Sequence, residues 1–94
     1  MLIVSGRLTL APGTRNDFLG RSRDAMRAAR AAPGCRAFVV AADPIEPDQV
    51  NVYEEWDSAE SLEAFRGEGP DDALNASIVG AEVHRHEIAG SGPA

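Results

Sequence analysis

The sequence predicts a single α+β domain built on a four-stranded antiparallel sheet, and three observations carry that prediction. Two stretches, 2–10 and 78–88, alternate polar and apolar side chains with the period of a half-buried strand. Residues 14–32 and 59–67 instead repeat apolar positions at helical spacing. Two further strand-like runs, 35–42 and 50–56, are separated only by Asp43-Pro-Ile-Glu-Pro-Asp48, too short to hold a crossover helix. The order is therefore β-α-β-β-α-β.

Each element has its own punctuation. In the first strand Leu2, Val4, Gly6, Leu8 and Leu10 take one face, and Ile3, Ser5, Arg7 and Thr9 the other. Ala11-Pro12-Gly13 breaks it, and Thr14 or Asn16 can cap the first helix. Phe18, Leu19, Ser22, Ala25, Met26 and Ala29 then form one helical stripe, leaving Arg21, Arg23, Arg27 and Arg30 for the solvated face. Pro33-Gly34 stops this helix, and Cys35 to Ala42 is the second strand. The third strand ends on Trp56. Asp57 or Ser58 caps the second helix, with Glu60 or Ser61 respectively at its third position. Gly67-Glu-Gly-Pro70 interrupts it, a short helical piece occupies 71–77, and the last strand begins at Ile78. Residues 1–88 make the folded domain, and the Gly- and Ser-rich 89–94 a disordered tail.

Right-handed crossovers turn this order into the ferredoxin-like arrangement, with both helices on one face of the sheet. The helix-facing side should carry Leu2, Val4, Leu8, Leu10, Val50, Val52, Trp56, Val79, Ala81 and Val83. The other side should carry Arg7, Thr9, Asn51, Tyr53, Glu55, Glu82, His84 and His86. Ile3, Phe38 or Val40, and Ile78 are expected to join it. No part of the chain remains to cover that face, and its mixed character suits a second copy. A homodimer through sheet faces is expected.

Composition narrows the function. Ninety-four residues support one core, and 44% hydrophobic with 26% charged residues is an ordinary globular balance. A net charge of −6 has the wrong sign for a nucleic-acid partner. No apolar run approaches the roughly 20 residues of a membrane span, and Met-Leu-Ile-Val-Ser is too short for a signal peptide. Cys35 is the only cysteine, so no disulfide framework exists, and a small buried hydrophobe is its simplest role. A soluble cytoplasmic protein is expected.

Trp56 and Glu54 are the residues most suited to chemistry. Trp56 lies where a strand gives way to a helix, and either fills the space under that helix or forms a pocket wall for a flat aromatic molecule. Glu54 shares its strand face. A carboxylate facing the helices needs either an arginine partner from the first helix or a use as a general base. Phe18, Met26, Val52 and Phe65 would supply the apolar lining. His84 and His86, two apart on the opposite face, have only Glu82 as a nearby third ligand. Interface contacts suit them better than a metal, and no metal is expected.

Taken together, Pro12-Gly13, Phe18-Leu19, Pro33-Gly34-Cys35, Asp43-Pro44 with Glu46-Pro47, and Tyr53-Glu54-Glu55-Trp56-Asp57 leading into Ala59-Glu60-Ser61-Leu62 resemble the antibiotic biosynthesis monooxygenase family. The resemblance covers residues 2 to about 88. It implies a dimeric α/β barrel with a cavity between sheet and helices, and oxidation of polycyclic phenols or quinols by dioxygen without flavin or metal. Some relatives degrade haem with an asparagine, a tryptophan and a histidine, where this chain has Gly6, Phe65 and Asn75. Phenol-oxidising relatives place an asparagine four residues before the tryptophan, where this chain has Val52. The leading expectation is a cofactor-independent monooxygenase with Glu54 as base and Trp56 in an aromatic clamp. The alternatives are a non-catalytic barrel that binds a small hydrophobic ligand, and a polyketide isomerase or cyclase.

Overall fold

Alternating side chains drive residues Leu2–Leu10 into strand β1, with Leu2, Val4 and Leu10 buried and Arg7 exposed. A computed structural model describes residues 1–67 and 75–94. After β1 come helix α1 (Arg15–Ala31), strands β2 (Cys35–Ala42) and β3 (Gln49–Trp56), helix α2 (Ala59–Arg66) and strand β4 (Ile78–Glu87). The helical piece expected over 71–77 falls mostly outside the described residues. The strands are ordered β2-β3-β1-β4 with every neighbouring pair antiparallel, which is the ferredoxin-like α+β fold.

Both helices pack on one sheet face. Leu62 of α2 joins Leu2, Val4 and Trp56 in one core cluster, while Phe18 of α1 joins Leu10 and Val50 in another. The two clusters divide the core into halves. No helix among the described residues is long and apolar enough to cross a membrane.

Local chemistry explains the boundaries. Thr14 occupies the first cap, yet its hydroxyl donates backwards to the Ala11 carbonyl at 2.7 Å rather than accepting from the helix. Ser58 caps α2 in the expected manner, accepting from the Ser61 N–H at 3.2 Å. Ala32 leaves α1 in an extended conformation, as a residue before proline must, and Gly34 comes next but one at φ +84°. A Cβ at Gly34 would also drive into the Ser61 side chain of α2. In β1, Gly6 (φ +152°) lets β4 come so close that a Cβ would lie 2.7 Å from the Val83 Cα.

Three face assignments differ from expectation. Between Thr9 and Leu10 the β1–β4 register shifts, so Leu10 pairs with Ile78 and Thr9 with Gly80. Val79 is the extra residue of a bulge and is 65% exposed, while Ile78 turns inward against the Leu10–Phe18–Val50 cluster. In β2, Phe38 pairs with Glu54 and Val40 with Val52, which puts both on the helix side. Val39, opposite Tyr53, takes the outer face in their place. There Arg7 pairs with Glu82 across β1 and β4, and Arg36 pairs with Asp57 at 2.6 Å.

The β2–β3 turn is organised by Asp43, whose carboxylate accepts from the N–H groups of Ile45 (3.0 Å) and Glu46 (2.8 Å) and from Asn51 Nδ2 (2.9 Å). The Glu46 N–H, then Asn51, holds its pKa below the usual aspartate range. A depressed pKa contributes stability above the ordinary value of about 3.9 and loses it as pH falls through the lower folded value. An Asp43→Ala variant should therefore be less stable than wild type at pH 7, the difference shrinking at acid pH as the carboxyl of the wild type protonates. Denaturant titrations at neutral and acid pH check this.

Candidate functional site

Successive odd and even residues of β3 point to opposite faces, so Val50, Val52, Glu54 and Trp56 all face the helices. Trp56 is wholly buried and Glu54 is 6% exposed. The expected arginine partner of Glu54 is not what the structure provides. Instead the Trp56 indole Nε1–H donates to Glu54 Oε1 at 2.9 Å, a contact between neighbours on one strand face.

Aromatic rings surround this pair. The Phe65 ring of α2 lies tilted on Trp56 with centroids 5.5 Å apart and meets Phe38 edge-on at 6.0 Å. Phe38 stands opposite Glu54 on β2, and Cys35 stands opposite Trp56. The carboxylate thus shares a small enclosure with three rings and a thiol. Burial, and then the charge on Glu54, push the Cys35 thiol above its usual range.

A cavity of about 480 Å³ opens between α1 and α2. Ala28, Ala31, Ala32, Pro33 and Ala64 make most of its wall, with Glu60 and Ser61 as polar members and Phe65 as its only ring. Such a volume suits a molecule of a few fused rings. Phe65 is the one predicted site residue that lines it, and the same ring covers Trp56. Phe18 belongs to the other half of the core with Leu10 and Val50. Met26 is half-buried on α1, and Val52 is buried beside Glu54 on β3. The structure therefore brings Glu54, Trp56 and Phe65 together and sets Phe18 apart.

The alanines were not among the sequence-predicted site residues. Their signal was present as small side chains in both helices, which leave space where larger ones would meet. On the far side of the sheet, His84 and His86 are exposed. Among the described residues no three His, Cys, Asp or Glu side chains gather as a metal site would need.

Comparison with known proteins agrees with the fold. The family model described as antibiotic biosynthesis monooxygenase matches residues 1–70. No curated protein matches the chain in sequence. Among solved structures, a protein from Deinococcus radiodurans assigned to the antibiotic biosynthesis monooxygenases superposes with a TM-score of 0.87 at 19% identity, covering 100% of this chain and 98% of that one. A counterpart from Chloroflexus aurantiacus is 29% identical with a TM-score of 0.74, covering 97% and 96%. A conserved protein from Methanosarcina mazei is 16% identical with a TM-score of 0.79, covering 90% and 89%.

Proposed function

Because this chain belongs to the antibiotic biosynthesis monooxygenase family, we propose that it oxidises a flat phenolic or quinol-like small molecule with dioxygen and without a cofactor. The observation that carries the reading is a buried carboxylate, Glu54, held by an indole N–H, with Phe65 both covering that indole and lining the cavity. The substrate stacks on Phe65, which Trp56 backs. Phe65 moves aside for the substrate hydroxyl to reach Glu54.

The chemistry is dictated by the substrate. Glu54 takes the hydroxyl proton, and the anion gives one electron to dioxygen. For an anthrone, superoxide recombines at the activated ring carbon, Glu54 returns its proton to give a hydroperoxide, and loss of water leaves the quinone carbonyl. One oxygen atom ends in the product and the other in water. The protein contributes positioning and an environment that favours the anion.

Anthrone turnover in air that ceases without oxygen is the expected result. A second reading, a non-catalytic barrel that binds a hydrophobic ligand, is favoured by the cavity lining, which among the described residues includes neither Glu54 nor Trp56. Binding in air without turnover would establish it. Product formed equally without oxygen would mean an isomerase or cyclase using the same base.

The working unit is a homodimer joined through outer sheet faces. Val39 and Tyr53 are exposed there among polar neighbours, a composition suited to a partner. Sedimentation equilibrium should give twice the chain mass, and a monomer at micromolar concentration would refute this.

A further inference from the structure

The indole of Trp56 is wholly covered, so a wall against which substrate stacks is a poor description of it. Its polar edge is occupied instead. The Nε1–H reaches Glu54 Oε1 at 2.9 Å, and no described arginine or lysine pairs with this carboxylate. A buried carboxylate costs several kcal/mol unless donors compensate it, so one well-placed N–H has a large influence on where the group sits. Packing also restrains the donor, with Phe65 tilted on the indole and Leu2, Val4 and Leu62 in the same cluster. A ring fixed in this way fixes what it binds.

We propose that Trp56 is a positioning residue, whose N–H locks the Glu54 carboxylate in one orientation and leaves the other oxygen as the proton acceptor, with no contact between indole and substrate. This rests on the proposed role of Glu54 as base. It reassigns Trp56 from clamp to support, and leaves Phe65 as the ring that meets the substrate.

Since Trp56 is the only tryptophan, its signals are unambiguous in the intact chain. Ultraviolet resonance Raman should show a strongly hydrogen-bonded indole in the wild type, weakened in Glu54→Gln. Carbon-13 relaxation should find the Glu54 side chain rigid in the wild type and mobile in Trp56→Phe. Both readouts are independent of turnover, so a free indole or an equally rigid Glu54 in Trp56→Phe overturns the inference whatever the activity. In anthrone oxidation, Trp56→Phe should lower kcat roughly 10- to 100-fold, as loss of a charge-assisted hydrogen bond predicts, with KM within about threefold. A raised KM at unchanged kcat would instead make Trp56 a substrate contact and overturn the inference. Wild-type protein that never consumes oxygen refutes the monooxygenase reading, while the two spectroscopic results still decide the role of the indole.

Discussion

Replacing Trp56 with alanine should cost about 3–5 kcal/mol, the usual range for removing a fully buried large aromatic. The side chain is wholly buried and holds Leu2, Val4 and Leu62 together in the half of the core beneath α2. Its removal would also take away the hydrogen bond to Glu54, adding a buried carboxylate without its donor. Against a typical total of about 5–15 kcal/mol, this loss removes much of the margin of so small a domain. Chemical denaturation of Trp56→Ala, followed by circular dichroism, measures it. A cost below about 1 kcal/mol would mean that the indole is not packed as described.

Glu54→Gln should abolish most turnover while leaving the fold intact, because the amide oxygen can still accept from the Trp56 indole. Removal of a general base lowers rates by about 10²- to 10⁴-fold. The effect should fall on kcat, since the cavity walls that bind the substrate are untouched. Steady-state oxygen uptake tests this. Near-wild-type kcat would exclude Glu54 as the base.

The element order and most of the inner face were legible because β1, β3 and the α1 stripe carry clear periods. The phase of β2 was not. Phe38, Val39 and Val40 are all apolar, so alternation could not say which faced in, and register with β3 decided for Phe38 and Val40. In β4 the alternation is genuine but the bulge at Val79 reverses its phase, and a bulge adds one residue without an obvious mark in sequence. Glu54 was placed correctly on the inner face. Of its two expected uses, an arginine partner and a general base, the structure does not supply the first: the donor is an indole two residues along the same strand. Cavity volume is a tertiary property, and the alanines that create it read in sequence only as good helix formers.

The sheet ends at β2 on one side, where unpaired backbone groups could recruit strands from other molecules. An arginine of α1 occupies part of that edge, as Arg30 Nε donates to the Phe38 carbonyl at 2.8 Å. Arg15 Nη1 instead ties down the adjoining β2–β3 turn, donating to the carbonyls of Asp43, Glu46 and Gln49 at 3.2, 2.9 and 3.3 Å. The expected solvated face of the helix thus includes a guard rail along a vulnerable border. A single guanidinium group both ties α1 to the sheet and occupies a backbone acceptor on that border.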